Sequence, residues 1–351
     1  VREQKTAEGH SVRAMYLYCG MTDVAMETND ESLLEVCQTI WDNTVNKRMY
    51  ITGGIGSSGY GEAFTLDYDL PNDLCYTETC AAIGLVFWAN RMINADVNSK
   101  YADIMEKALY NGVLSGISLD GKSFFYVNPL EVWPEACEIR HDKEHIEIER
   151  QGWFRCACCP PNLARLLTSF GRYNYSKNNN EIFLHLYSNN TAAFEVENTD
   201  IELKQRTDYP WDGNVEITVN TTDTVNFALG LRIPGWCNSA ELYLNGKNIS
   251  ISQFEEKGYV KLERKWQAGD KVKLVLPMSV KRVYSHPRVR MNSGKVAIQR
   301  GPLIYCLEEI DNGQNLPSIC LPEEANLIAE FDPDLLGGIT VVKGTGYKIS
   351  E

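Results

Sequence analysis

No apolar run in the chain approaches the roughly 20 residues that a membrane-spanning helix needs, so no helical span is expected. Positive charge is also in short supply. Lys and Arg total 34 against 47 Asp and Glu, a net charge of −13, which argues against nucleic acid or an anionic membrane as partner. The glycine-rich stretch from Thr52 to Gly59 lacks a Gly-Lys-Ser or Gly-Lys-Thr ending, so a phosphate-binding reading is weak. There is no internal repeat and no low-complexity segment. The chain opens Val1-Arg2-Glu3 without a methionine or a signal-peptide pattern, and this opening reads like the middle of a domain. Cysteine is not scarce, but its count of 11 is odd, so it cannot all be paired within one chain. The scattered thiols suit metal use or a reducing compartment better than a secreted disulfide scaffold.

What is present falls into two halves. A hydrophobic share of 44% with 23% charged residues belongs to an ordinary globular chain, and 351 residues are enough for two domains. Apolar residues recur at helical spacing over 11–27, 32–49, 78–94, 100–115 and 161–175. Residues 121–130 read as a strand or hairpin arm. After Asn178-Asn179-Asn180 the period becomes two, with short strands at 182–186, 215–219, 227–233, 272–276 and 296–298. Asn245-Gly246 joins 240–244 to 248–251 as a hairpin turn, because both positions accept positive φ. The strands suggest a β-sandwich. The expected division is therefore a helical part over 1–178, a sandwich over 179–310 and a loop-rich tail, or the start of another β domain, over 311–351. Five helices in one layer would leave an apolar face over residues 11–49 exposed, so the helical part looks like half of a larger body.

The densest chemistry is in Cys156-Ala157-Cys158-Cys159-Pro160-Pro161-Asn162. Adjacent cysteines bond to each other only with strain. A residue before proline is pushed out of the helical region, and Pro161 can open a helix, so the thiols are expected in an extended turn ahead of a helix beginning near Asn162. A helix N-terminus favours thiolate. Upstream, Glu78 and Cys80 can converge on one ion at a helix start. Glu78, Cys80, Cys158 and Cys159 form a donor set that Zn2+ accepts. The competing reading is a group of ordinary buried thiols.

Several motifs together resemble glycoside hydrolase family 127. They are Gly9-His10-Ser11-Val12-Arg13-Ala14, Thr52-Gly53-Gly54-Ile55-Gly56, Gly61-Glu62-Ala63-Phe64, Asp69-Leu70-Pro71-Asn72-Asp73, Tyr76-Thr77-Glu78-Thr79-Cys80, Leu109-Tyr110-Asn111-Gly112-Val113-Leu114 and the cysteine run. The family's enzymes are β-L-arabinofuranosidases, with family 146 close by. The resemblance implies an α+β multidomain fold, in which part of an (α/α)6 barrel precedes a β-sandwich and the rest of the barrel lies before Val1. It implies Cys158 as nucleophile, with Glu78, Cys80 and Cys159 as its fellow zinc ligands, and Glu62 as general acid/base. His10, Glu106, Tyr126 and Glu78 would contact the sugar. A retaining glycosidase needs one nucleophile and one acid/base, and here a thiolate takes the usual carboxylate's place. The substrate implied is a plant-type, arabinose-containing oligosaccharide or glycoconjugate, with a homodimer left open.

Taken one at a time, these residues have plainer readings. Glu62 reads as a loop carboxylate, Glu106 as part of a solvated helix face, His10 as a helix-start residue and Tyr126 as a packing aromatic. His141 and His145 lie in a charged segment that reads as a solvated loop. Cys75 and Cys156 are neighbours of the site motifs, and the other thiols read as ordinary. Two further function classes stay open: a non-catalytic carbohydrate-binding relative with a structural zinc, and a hydrolase or lyase acting on another sugar.

Overall fold

The computed structural model describes residues 1–253 and 255–349. Helix α1 (Ser11–Thr28) buries Ala14, Met15, Tyr18, Met21, Thr22 and Ala25, one stripe of an amphipathic helix, and ends on Asn29 in the left-handed conformation. Helix α2 (Glu31–Lys47) starts on Asp30, whose carboxylate accepts from the Leu33 N–H at 3.0 Å. Helix α3 (Thr79–Ala95) is apolar on nearly all sides and therefore central, packed on α1, on α4 (Ser99–Ala108) and on α6 (Cys159–Thr168). Trp41, Trp88 and Tyr101 stack edge to face at its centre, and Trp88 Nε1 donates to Thr22 Oγ1 at 3.1 Å. The apolar face expected to be exposed over residues 11–49 is limited to Tyr16, Leu17 and Val24; Leu33, Ile40 and Trp41 of α2 are buried.

The helix expected over 100–115 stops at Ala108 and continues as a π-turn over Leu109–Val113. The Asn111 side chain donates to the carbonyls of Lys107 and Pro302, and Gly112 lets the turn close on Ala82. A short helix α5 (Pro134–Ile139) has no counterpart in the sequence reading. Residues 121–130 form no regular strand. They make isolated bridges, Phe124 with Ile117 and Gln151, and Val127 with Glu78, because each neighbour is itself irregular.

From Tyr175 onward the chain is mainly β. Strands β1 (Tyr175–Asn178), β2 (Glu181–Leu184), β6 (Val225–Arg232), β10 (Tyr259–Trp266) and β9 (Glu255–Glu256) form one sheet, in the order β1-β2-β6-β10-β9. Strands β3 (Asn190–Val196), β4 (Thr199–Thr207), β5 (Asn214–Thr221), β11 (Asp270–Val275), β7 (Glu241–Leu244) and β8 (Lys247–Ile249) form the second, in the order β3-β4-β5-β11-β7-β8. Inward residues of both sheets, among them Leu229, Leu231, Ile217, Val219 and Leu274, share one core, as in a sandwich. Asn245 and Gly246 adopt φ of 48° and 79°, the hairpin geometry that asparagine and glycine tolerate. Ala297–Arg300, read above as a sandwich strand, instead pairs with Val280–Val283 and Leu303–Tyr305 in a separate three-stranded sheet. The tail contains a hairpin of Leu327–Asp332 with Ile339–Gly344.

Candidate active site

Five segments meet at one edge of the helical domain. His10 is the residue before α1. It bridges Ala63, beside Glu62, while Glu78 bridges Val127, beside Tyr126. The glycine-rich loop ties these segments together. The carbonyl of Gly56 accepts from both Tyr76 N (3.2 Å) and Thr77 N (2.9 Å). Ser11 Oγ donates to the Glu62 carbonyl at 3.1 Å, and a Cβ on Gly56 would meet Ser11 Oγ at 2.7 Å. Gly56 also has φ of 92°, so only glycine fits this crossing. A loop with a phosphate-binding look is here a backbone clamp.

Two site residues lie on strained backbone. Glu62 has φ of 51° and Thr77 has φ of 39°, unusual for a β-branched residue. Thr77 is held by Asn128, whose carbonyl accepts from Thr77 Oγ1 at 2.6 Å and whose Nδ2 donates to Thr77 O at 3.1 Å. The turn therefore throws Tyr76 and Glu78 into the same space.

Glu78, Cys80, Cys158 and Cys159 converge there, with one donor atom from each lying within 4.8 Å of the others. The Sγ–Sγ separations are 3.7 Å (Cys80–Cys158), 3.4 Å (Cys80–Cys159) and 3.9 Å (Cys158–Cys159). Glu78 Oε1 is 3.4 Å from Cys158 Sγ and 3.9 Å from Cys159 Sγ. A tetrahedral zinc with Zn–S bonds of about 2.3 Å has S···S edges of about 3.8 Å. Glu78 Oε2 is buried without a hydrogen-bond partner. Donor set, spacing and orphaned oxygen all fit a tetrahedral metal.

The expected extended turn is not what forms here. Helix α6 (Cys159–Thr168) begins at Cys159 itself, with Cys158 already at φ −76°, ψ −32°. Pro160 and Pro161 occupy the first turn, where their missing N–H groups had no partner to lose, and this outweighs the usual bias before proline. The thiols thus lie at the N-terminus of α6. Hydrogen bonds from Cys159 and Cys80 pull the Cys158 thiol well below its ordinary range, while hydrogen bonding to the Cys158 sulfur pushes Cys80 and Cys159 up. Burial, then the Cys158 sulfur, pushes the Glu78 carboxyl up to about 8. Cys80 and Cys159 are each 1% exposed, whereas Cys158 is only half-buried and lies 3.0 Å from the Tyr126 hydroxyl.

Beside the cluster, His10 Nε2 is 2.7 Å from Glu62 Oε2, and the Tyr76 hydroxyl donates to Glu62 Oε1 at 3.2 Å. One oxygen or nitrogen from each of His10, Glu62 and Glu78 also lies within 4.8 Å of the others, so Glu78 joins the two groups. Of the residues expected as nucleophile, acid/base, metal ligands or sugar contacts, Glu106 is elsewhere. It is neither on a solvated face nor at this cluster: it is buried against the sandwich, where Arg232, Tyr209 and Trp236 take up its carboxylate. Cys75 is buried and donates to Asn72 O, away from the cluster; Cys156 is exposed, 3.8 Å from the Tyr126 hydroxyl. The sequence reading gave no role to Tyr76 and set His145 aside with its charged segment, yet their rings pack at 5.5 Å. Tyr76 had a signal in standing two residues before Glu78, but His145 had none. The charged segment around it is solvated at Arg140, His141, Asp142 and Glu144, as expected, but Lys143 within it is buried on Asp73 and His145 is half-buried.

Three family models cover nearly the whole chain: the GH127 catalytic domain of β-L-arabinofuranosidase over residues 1–172, its middle domain over 181–278 and the family's C-terminal domain over 280–340. A curated non-reducing end β-L-arabinofuranosidase of Bifidobacterium longum subsp. longum is 43% identical, over 97% of this chain and 52% of its own length. The crystal structure of a GH127 β-L-arabinofuranosidase from Geobacillus stearothermophilus T6 superposes with a TM-score of 0.97 at 55% identity, covering 100% of this chain and 55% of that one. A solved GH127 β-arabinofuranosidase gives 0.92 at 38% identity, over 100% of this chain and 56% of its own. The chain thus spans about half the length of the relatives it matches. With the motifs, the three consecutive domains and the relatives all in agreement, the chain belongs to glycoside hydrolase family 127.

Proposed function

We propose that this chain carries the catalytic centre of a retaining glycoside hydrolase that releases L-arabinofuranose from β-L-arabinofuranosides of plant-type oligosaccharides or glycoconjugates. Its relatives' names point to that sugar. The half-buried Cys158 carries the reading, as the one sulfur of its cluster not fully buried, 3.0 Å from the Tyr126 hydroxyl and next to Glu78, which also neighbours Glu62. Zn2+ held by Glu78, Cys80, Cys158 and Cys159 would keep the sulfur deprotonated and fix its direction. The Cys158 thiolate attacks the anomeric carbon while Glu62 protonates the departing oxygen. Glu62 then takes a proton from water, which releases the sugar from sulfur with its configuration retained. His10 and Tyr126 line the same space and are the sugar contacts in this reading. We read 1–178 as part of an (α/α)6 barrel and 179–310 as the sandwich region, with 311–351 the tail. A bacterial cytoplasm suits eleven cysteines.

A purely structural cluster would leave Cys158 inert. Intact-mass spectrometry after mixing the protein with an activated aryl β-L-arabinofuranoside tests this. The expected result is one added pentosyl group, mapped to Cys158. Turnover with inverted configuration, or no adduct on any cysteine, would overturn the thiolate reading.

A further inference from the structure

We infer that Tyr76 is a positioning residue for Glu62, and that its edge-to-face packing on Tyr126 sets the separation between the acid/base and the nucleophile. This rests on the proposed hydrolase reading. The Tyr76 hydroxyl donates to Glu62 Oε1 at 3.2 Å, and the Tyr126 hydroxyl touches Cys158 Sγ at 3.0 Å. The two rings meet at 6.2 Å and 67°, so each aromatic hydroxyl addresses one reacting group while the rings brace each other. The Tyr76 ring is itself fixed, with the His145 ring at 5.5 Å on another side and its backbone N–H on the Gly56 carbonyl. His10 holds the other oxygen of Glu62 at 2.7 Å. Glu62 starts from strained backbone and is only partly buried, so without this pair its carboxyl would be free to turn. A general acid delivers its proton only from a fixed direction. The Tyr76 hydroxyl is spent on Glu62 rather than on a sulfur, so its part is to aim Glu62.

The consequence is selective. Protonation of the leaving oxygen matters for a sugar or alkyl leaving group and hardly at all for a nitrophenolate. In the intact protein, Tyr76→Phe keeps the ring and removes one hydrogen bond to a charged group, a loss of about 10- to 100-fold where that bond is needed. The expected result is a fall of that size in kcat/KM for an alkyl or disaccharide β-L-arabinofuranoside, with less than about a threefold change for the nitrophenyl substrate. Equal falls on both substrates, or none, would overturn the proposal. Glu62→Gln is the control. If that variant lacks the same leaving-group selectivity, or the unmodified protein turns over neither substrate, the hydrolase reading fails and takes this inference with it. If Glu62→Gln is selective and Tyr76→Phe is not, the inference alone fails. Should Tyr76→Phe melt early, 3-fluorotyrosine at position 76 keeps ring and hydroxyl while changing the donor's acidity. The ratio of the two kcat/KM values should then move, and an unmoved ratio would overturn the proposal.

Discussion

Arg232 and Glu106 form a fully buried ion pair across the boundary between the helical domain and the sandwich. Arg232 lies at the end of β6 and reaches Asp103 as well, at 2.6 Å, while the Gly235 N–H donates to Asp103 and Trp236 Nε1 to Glu106. One guanidinium thus joins two carboxylates on successive turns of α4 to a strand end, and planar bidentate donors suit that task. Breaking such a pair strands a buried charge. Glu106→Ala should cost about 3–5 kcal/mol, because Arg232 keeps only the Asp103 partner. In a chain of this size that lowers Tm by roughly 10 °C. Scanning calorimetry checks it. A Glu106 that served the sugar instead would raise KM and leave Tm unchanged.

How far the sequence was legible varied with the range of the interactions. The Asn245-Gly246 hairpin was readable because the turn depends on two adjacent residues that tolerate positive φ. The meeting of Cys80 with Cys158 and Cys159 was readable from residue chemistry, since few environments other than a metal ask for that donor set. Glu106 was not, because its partner stands 126 positions away and a helical Glu before a Lys looks solvated. The pre-proline bias on Cys159 points to a helix start near Asn162, but the tolerance of a first turn for proline prevails and α6 starts at Cys159. Residues 121–130 alternate like a strand yet find only irregular partners, and no local pattern reveals what lies opposite. The central place of α3 depends on α1, α4 and α6 together, which its own helical spacing does not reveal.

Metal should be present as purified. About one zinc per chain is expected by elemental analysis, with cobalt substitution giving the intense thiolate charge-transfer absorption of a tetrahedral sulfur site. Chelation should lower Tm, because the metal binds only the folded arrangement. Cys80→Ser should lose the metal, since a buried serine does not supply an anion. A full complement of zinc in that variant would remove Cys80 from the ligand set.

Gly56 should not tolerate a side chain. Gly56→Ala introduces a Cβ at 2.7 Å from Ser11 Oγ on backbone at φ 92°. The clash displaces both the Glu62 carbonyl that Ser11 holds and the carbonyl that receives Tyr76 and Thr77. A destabilisation of about 1–3 kcal/mol is expected, with activity falling further than stability alone explains. Gly121→Ala is the comparison, for its φ is also positive but nothing lies within 4 Å of the added methyl. Equal effects of the two would mean that backbone strain matters at position 56 and the close approach does not.

Cys158→Ser and Glu62→Ala should differ in kind. Serine cannot supply an alkoxide at neutral pH, so the first variant should form no glycosyl-enzyme with any leaving group. Glu62→Ala should lose on the order of 10²-fold or more on poor leaving groups. With an activated aryl substrate it should still form the adduct and then stall, because no base remains to activate water. Intact-mass spectrometry reads both outcomes. Full activity in Cys158→Ser would assign the attack to another group.

His185 should set part of the acid sensitivity of the sandwich. It is fully buried, with Nδ1 at 2.7 Å from the Tyr259 hydroxyl and Nε2 at 2.8 Å from Ser176 Oγ. Burial, with the Arg232 charge adding to it, pushes the imidazole down to about 3 from its ordinary 6.5. Between those two values the unfolded chain binds a proton that the folded chain refuses, so stability falls as pH drops through that window and is fully present above 6.5. Each pH unit inside the window carries up to about 1.4 kcal/mol from this one group. His185→Gln keeps an amide for the two hydroxyls and cannot titrate. Urea unfolding at intervals from pH 7 to pH 4 should therefore give a shallower fall for the variant than for the unmodified chain. The carboxylates contribute equally to both curves, so the difference between them isolates His185. Parallel curves would mean that the ring is protonated in the folded state, with a hydroxyl oxygen accepting from each nitrogen.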